Sequence, residues 1–438
     1  MYNQIKKQAE ADMKYAYKNG YILNGDADMT PVEGKIILTD GELIVGIADR
    51  DRDLNGYTVI DLEGKYIMPG LINMHVHMPA SGKPSTNVKD PRKTVKLITS
   101  NGLMKKIGHM IVQSAAKTEL MSGVTTLRTM GGVQDFDTIV RDRIKLGKAV
   151  GPRMLACNMA VSVPGGHMAG SLGYEATSVE DAVRFVEKTV AEGVDLIKLM
   201  ITGGVLDAKK KGEPGEMKMP PEMIKRCCDT AHKYGLKVAA HVESPEGVRQ
   251  ALINGVDTIE HGAKPDDEII TLFKERGACH IATFSPTLPY VKFDREITKI
   301  TDVEYFNGEV VFNGIIDCAK ACLEAGVPVG LGTDTGCTYI THYDMWREVK
   351  YYHNFCGVTN AFALHTATQL NAKLAGIDRI TGSIEPGKCA DMIVTSMNPL
   401  DDLEALRNLD MVIARGRLYK DPKVKKMPAV EAELDKYI

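Results

Sequence analysis

The alternation of apolar and polar positions changes character twice along this chain. Near the N-terminus, short β-branched runs at 35–39, 42–48 and 57–62 are punctuated by the turn-forming pairs Asp40-Gly41 and Asn55-Gly56. Near the C-terminus, the turn-rich stretch Gly382-Ser-Ile-Glu-Pro-Gly-Lys-Cys-Ala-Asp leads into an apolar run at 392–395. A further run at 411–414 ends in Arg415-Gly416-Arg417. Between these β-rich ends, short apolar runs recur between longer amphipathic stretches, the pattern of strands alternating with helices in a parallel sheet.

Eight strands are predicted in that middle: 67–77, 125–130, 153–158, 196–200, 237–242, 258–261, 280–285 and 329–333. Helices are predicted between them, as at 179–192 and 221–234, and glycines 123, 193, 235, 255 and 326 stand where helices should stop. The phrases Ser-Gly-Val-Thr-Thr, Glu-Gly-Val-Asp-Leu, Asn-Gly-Val-Asp-Thr and Ala-Gly-Val-Pro-Val each read as helix end, turn and next strand. Eight strands over roughly 300 residues is the size of a (β/α)₈ TIM barrel with inserted loops. The predicted class is therefore α/β, with a barrel at 67–380. Residues 1–66 and 381–438 are expected to form one small composite β-sandwich domain from both chain ends.

Composition narrows the function classes. The 438 residues carry 54 basic and 57 acidic side chains, a net charge of -3, which argues against a nucleic-acid footprint. No run approaches the ~18 apolar residues of a membrane span. The opening Met-Tyr-Asn-Gln-Ile-Lys-Lys-Gln continues into charge and not into an apolar segment, so no secretory leader is expected and the cytoplasm is the default location. Nine cysteines without a CxxC pair fit reduced thiols better than a disulfide framework.

The chemistry concentrates at predicted strand ends. His75 and His77 close the first strand, His241 the fifth and His261 the sixth; Asp334 follows the eighth and Lys198 lies within the fourth. In a barrel, C-terminal strand ends face the active site. Residues i and i+2 of a strand point the same way, so His75 and His77 can approach one metal together. An isolated His-x-His pair is weak support for a metal. Four imidazoles and a carboxylate at equivalent ends of different repeats form a donor set that borderline cations such as Zn²⁺ favour.

At these motifs the chain resembles a known family. Pro69-Gly-Leu-Ile-Asn-Met-His-Val-His is similar to the opening strand of the amidohydrolase superfamily, and Gly332-Thr-Asp-Thr-Gly to its closing aspartate strand. The segment from Ala372 through Gly376-Ile-Asp-Arg-Ile-Thr-Gly-Ser-Ile-Glu-Pro-Gly-Lys-Cys-Ala-Asp resembles the return to the small β-domain. Lys198-Leu-Met-Ile-Thr-Gly-Gly-Val and the Pro164-Gly-Gly-His loop look most like the prolidase-type branch, whose members include Xaa-Pro dipeptidases and imidazolonepropionase-related enzymes.

The resemblance implies two divalent metal ions of zinc type. His75, His77 and Asp334 would hold the more buried one and His241 and His261 the second. Lys198, carboxylated on its amine, would bridge them, since a carbamate ligates where an ammonium cannot; the alternative is a lysine neutralising a nearby acid. A water between two cations loses its proton near neutral pH and becomes a nucleophile, and Asp334 would carry that proton to the departing amine. The implied activity is hydrolysis of a linear amide, a dipeptide or N-acyl amino acid, by a metal-bound hydroxide. Its rivals are a mononuclear cyclic amidohydrolase, a deaminase, and a non-catalytic scaffold on the same fold.

Substrate-facing candidates are fewer. His167, in a Gly-rich loop after the third strand, is placed to reach an oxyanion or a substrate carboxylate, or else to order its own loop. Arg128, inside the second strand, is either a substrate-carboxylate ligand or half of a buried ion pair. Thr129 follows it where prolidase-like relatives carry aspartate. Tyr339, His342 and Tyr343 follow the eighth strand and are expected along the pocket. His109, His232 and His353 fall in helices, His280 opens its strand at the end away from the site, and His365 lies past the last strand. The expected partner is a small-molecule substrate, without nucleic acid or membrane; a homo-oligomer is expected from size class alone.

Overall fold

The computed structural model describes residues 14–84 and 90–438. The N-terminal octapeptide read above as lacking a leader lies outside the described residues. In chain order the strands are β1 (Lys14–Lys18), β2 (Tyr21–Ile22), β3 (Lys35–Asp40), β4 (Leu43–Asp49), β5 (Thr58–Asp61), β6 (Tyr66–Pro69) and β7 (Leu71–Val76). They continue as β8 (Val124–Thr129), β9 (Arg153–Leu155), β10 (Ala160–Ser162), β11 (Gly173–Glu175), β12 (Leu196–Met200) and β13 (Lys237–Val242). The last are β14 (Thr258–His261), β15 (Cys279–Ala282), β16 (Val329–Leu331), β17 (Met392–Thr395), β18 (Met411–Ala414) and β19 (Arg417–Lys420).

The chain divides into two compact units. The first comprises Met1–Asn73, Lys117–Thr126 and Met345–Lys426; the second comprises Met74–Ala116, Leu127–Asp344 and Met427–Ile438. In the first, one sheet runs β4-β3-β1-β5 and another β19-β18-β17-β6-β2. Tyr17, Ile37, Ile44 and Ile60 of one sheet share a buried core with Ile67, Met392, Val394 and Ile413 of the other. Alternation along each strand sends these residues inward while neighbours such as Leu43 and Val45 stay exposed.

The predicted strand 67–77 is two strands. It breaks at Gly70: β6 pairs with β17, whereas β7 neighbours β8. The break needs glycine, because a Cβ at this position would lie 2.2 Å from the Thr125 side chain.

The second unit is α/β. A seven-stranded sheet runs β11-β10-β12-β13-β14-β15-β16, with every resolved pairing parallel. Strands β12, β14, β15 and β16 are buried at every position, as expected of a parallel sheet covered on both faces. Past the end of β16, the Asp334 N–H donates to the His75 carbonyl at 2.8 Å and the His77 N–H to the Thr335 carbonyl at 2.8 Å, a parallel bridge between Val76 and Thr335.

The helices follow their capping signals. Ser178 accepts from the Asp181 N–H and starts the helix Val179–Ala191; Ser244 caps Pro245–Ile253 in the same way. The helix Asp302–Ala325 opens on a Thr301/Glu304 capping box and closes on Gly326 in the left-handed conformation. Among the described residues no helix is long and apolar enough to cross a membrane, and all nine cysteines are free.

Candidate active site

The candidate donors gather at the C-terminal ends of the parallel strands of the second unit. Register explains part of this: Met200 pairs with His241, His241 with Glu260, and Val242 with His261. The ends of β12, β13 and β14 are therefore level. His75, His261 and Asp334 each place one ligand atom within 4.8 Å of the others, all buried. His77 Nε2 lies 3.1 Å from Asp334 Oδ1, and His75 Nε2 lies 3.4 Å from the same oxygen. The His241 ring sits 4.7 Å from that of His261, edge to face.

Each histidine is held by its other nitrogen. His75 Nδ1 donates to Glu260 Oε2 at 2.8 Å, and His77 Nδ1 donates to the Gly131 carbonyl at 3.1 Å. With Nδ1 engaged in this way, Nε2 of each ring is the nitrogen turned toward Asp334. His261 Nδ1 lies 2.7 Å from Thr283 Oγ1. Partners of this kind fix tautomer and orientation in metal-ligating histidines. Burial, followed by the Lys198 charge, depresses the His75 pKa well below its ordinary value. Burial and then His167 do the same for His241. Burial takes His261 down to about 3, leaving all three imidazoles neutral at pH 7. Neutral imidazole is the form that ligates metal.

Two backbone outliers mark the same place. His261 has φ 67° and Asp334 φ 54°, both left-handed and neither glycine. Such a conformation costs on the order of 1–3 kcal/mol and collects at functional sites. Here it turns each side chain off the end of its strand. Gly332 completes the arrangement, since a Cβ there would lie 2.5 Å from His75 N.

Lys198 Nζ is buried with no hydrogen-bond partner among the described residues, and so is His241 Nε2. Burial lowers the lysine pKa to about 8, against the pull of Glu260 and Asp334 toward the charged form. An isolated buried ammonium is unfavourable. Orphaned polar atoms beside neutral imidazoles and a carboxylate are what a metal centre would satisfy, and the N/O donor set suits borderline cations.

All three nitrogens of Arg128 are engaged. Its Nε donates to the Met74 carbonyl at 2.8 Å, one terminal nitrogen to Thr258 Oγ1 at 3.3 Å and the other to Glu260 Oε1 at 2.7 Å. Glu260 thus stands between Arg128 and His75, 0% exposed. Its only sequence signal was a carboxylate next to His261 in an apolar strand. His167 stacks on His241 at 4.0 Å and 8°, and its Nδ1 lies 2.6 Å from Asp207 Oδ2. Burial raises the Asp207 pKa, but the hydrogen bond and charge of His167, with the Gly204 N–H, outweigh it and hold the carboxyl below its usual range. Glu243 is a third acid that strand-end reasoning missed. Burial, then Asp334 and Asp207, push its pKa up to about 8.

The remaining candidates are placed as follows. Tyr339 Oη donates to the Ile297 carbonyl at 3.0 Å, and Tyr343 Oη accepts from the Met427 N–H at 2.7 Å. His342 Nε2 lies 2.7 Å from the Ala80 carbonyl. His109 packs edge-on against Phe136, His232 lies 2.8 Å from Asp257, and His353 and His365 hydrogen-bond backbone carbonyls.

The chain is similar to several known proteins. A solved structure from Bifidobacterium longum, assigned as a prolidase, is 36% identical and superposes with a TM-score of 0.85 over 97% of this chain and 98% of that one. A solved Xaa-Pro dipeptidase with methionine bound in its active site is 30% identical, with a TM-score of 0.79 over 93% of this chain and 100% of that one. The ochratoxinase of Aspergillus niger is 26% identical over 332 residues, 69% of this chain and 67% of its own length. The amidohydrolase family model matches residues 66–419. The chain belongs to the amidohydrolase family, typically metal-dependent, and is a hydrolase acting on carbon–nitrogen bonds.

Proposed function

We propose that the protein hydrolyses a linear amide bond in a dipeptide or N-acyl amino acid, using two zinc-type cations at the ends of β7, β12, β13, β14 and β16. The observation that carries this reading is the orphaned, buried Lys198 amine amid the His75, His261 and Asp334 donors. With β7, β8, β9 and β12 to β16 closing as one barrel, and a composite β-domain built from both chain ends, the donors share one rim.

His75, His77 and Asp334 would hold one cation and His241 and His261 the other, with Lys198 as its carbamate between them. When bound, such cations supply Lewis acidity, polarising a carbonyl and lowering the pKa of water. The chain's own residues do the rest. Asp334 takes a proton from the attacking water and delivers it to the amine nitrogen as the C–N bond breaks, since an amide anion is too poor a leaving group. His167, its Nδ1–H held by Asp207 and its ring stacked on His241, donates to the substrate oxygen from Nε2 as the doubly protonated ring. Arg128 and Glu260 act through His75, fixing its tautomer, and do not touch substrate.

The prolidase-type and ochratoxinase relatives support a linear amide as the scissile bond. The test is a substrate panel on the zinc-loaded protein: Xaa-Pro and other dipeptides, N-acyl amino acids, a cyclic imidazolone and adenosine-type amidines. Turnover confined to the linear amides is expected. Turnover of only the cyclic amide or the amidines would overturn the proposal.

A further inference from the structure

A second cluster of metal-binding side chains lies in the same unit, one strand away from the candidate active site. His280 of β15 and Cys318 and Cys322 of the helix Asp302–Ala325 each place a ligand atom within 4.8 Å of the others. All three side chains are 0% exposed. The cysteines stand at i and i+4, on one face of a helix fixed at both ends by its caps. One nitrogen of His280 is accounted for: Nε2 lies 2.7 Å from the His261 carbonyl oxygen, to which it donates. The other, Nδ1, is buried and has no hydrogen-bond partner among the described residues. In the neutral ring, donation from Nε2 leaves a lone pair on Nδ1.

The backbone makes room for this cluster. Gly262, at φ 82°, passes so close that a Cβ there would lie 2.9 Å from His280 Nε2 and 3.0 Å from Cys318 Sγ. If the three side chains were only filling the core, the thiols would hydrogen-bond weakly to each other and to the imidazole, and Nδ1 would stay without a partner. Soft thiolates with an imidazole form a donor set selective for thiophilic d¹⁰ cations. Two thiolates with a neutral imidazole balance Zn²⁺, and one thiolate with one thiol balances Cu⁺, so neither ion need leave net charge buried.

We propose that His280, Cys318 and Cys322 form a structural site for a soft d¹⁰ cation, Zn²⁺ or Cu⁺, separate from the nitrogen- and oxygen-lined candidate active site. Binding of Zn²⁺ releases the two thiol protons to solvent, with no change of oxidation state. Through the His280–His261 hydrogen bond, the filled site would brace the backbone of β14 where it turns out of its strand.

The experiment uses the full chain, stripped of metal under reducing conditions and titrated with Co²⁺ as a stand-in for Zn²⁺. The donors of the candidate active site are nitrogen and oxygen, so a near-ultraviolet thiolate-to-Co²⁺ charge-transfer band reports on a cysteine site. Cys337, whose thiol lies 3.7 Å from Asp334 Oδ2, and Cys157, near enough to Lys198 for their charges to interact, are the confounders and are removed by Cys337→Ala and Cys157→Ala. The expected result is a band whose final amplitude corresponds to one thiolate-bound Co²⁺ per chain, survives in Cys337→Ala, Cys157→Ala and Cys227→Ala, and is lost in Cys318→Ala and Cys322→Ala. An anaerobic Cu⁺ titration against a competing chelator separates the two cations: tighter retention by the parent than by Cys318→Ala assigns Cu⁺. X-ray absorption of the unmutated zinc-loaded protein makes the test independent of variants that fail to fold. Sulfur in the zinc shell supports the site. No thiolate band together with a shell of nitrogen and oxygen only, or a band unchanged in Cys318→Ala and Cys322→Ala, overturns it.

Discussion

Replacing Lys198 by methionine should stabilise the metal-free protein, although it removes a proposed ligand. The side chain is 1% exposed and its amine has no hydrogen-bond partner among the described residues. Burial lowers its pKa from 10.5 to about 8. Between those values the unfolded chain binds a proton that the folded chain does not, so stability rises with pH across that window. Below pH 8 the full penalty of folding around the ammonium applies, about 3 kcal/mol at 1.36 kcal/mol per pKa unit. Methionine has nearly the same volume and removes that penalty.

For 438 residues, an unfolding entropy of about 2.1 cal/mol/K per residue makes 3 kcal/mol worth roughly 3 °C in Tm. Melting of chelator-stripped, carbonate-free protein at pH 7 should place Lys198→Met about 3 °C above the parent. At pH 9.5 the gap should shrink to about two-fifths, because only one of the two and a half units then remains. Metal-loaded proteins should show the opposite order. A metal-free Lys198→Met that melts below its parent at pH 7, or a gap that does not change with pH, would refute the reasoning.

Three further outcomes follow from the same geometry. Glu260→Gln leaves Arg128 as a buried guanidinium without its carboxylate and loosens His75; equilibrium unfolding should show a loss of about 3–5 kcal/mol, and competitive metal titration an affinity about 10–100-fold weaker. His167→Asn should lower kcat/KM by about 10²–10³-fold, the cost of one oxyanion donor, with metal content unchanged; a matching fall in metal content would reassign the residue to the metal centre. Gly332→Ala pushes a methyl to 2.5 Å from His75 N, so Tm should drop by the equivalent of about 1–3 kcal/mol, whereas Gly41→Ala, with nothing within 4 Å, should show no steric loss beyond that of its positive φ.

The sequence was most legible where chemistry and period coincide. The strand-end rule placed His75, His241, His261 and Asp334 together because each follows an apolar run whose length fixes where the strand stops. Strands 392–395 and 411–414 were read with their observed bounds, since turn residues flank both. The reading was poorer where tertiary packing decides. The run 67–77 does carry a local break signal in Pro69-Gly70, masked by the apolar residues on either side; why the second of the pair must be glycine depends on Thr125, more than fifty positions away. The third predicted strand, 153–158, stops at Leu155, and Asn158 takes φ 55°. The short strands β10 and β11 fall within a stretch read as loop. Glu260, Asp207 and Glu243 escaped notice because acids near strand ends are usually solvated. Only the fold shows Glu260 joined to both Arg128 and His75, or Asp207 reaching forty residues back to His167. Asp334 and His261 owe their aim to left-handed backbone, which no side-chain period encodes.

The measurement closest to the central claim is the metal content of the purified protein, taken together with the intact mass of the peptide bearing Lys198. Two zinc-type ions per chain at the nitrogen- and oxygen-lined site, with the mass of one carbon dioxide on Lys198 and both lost in Lys198→Met, is the predicted result. A single ion at that site with Lys198 unmodified, or no ion after reconstitution in bicarbonate, would contradict it.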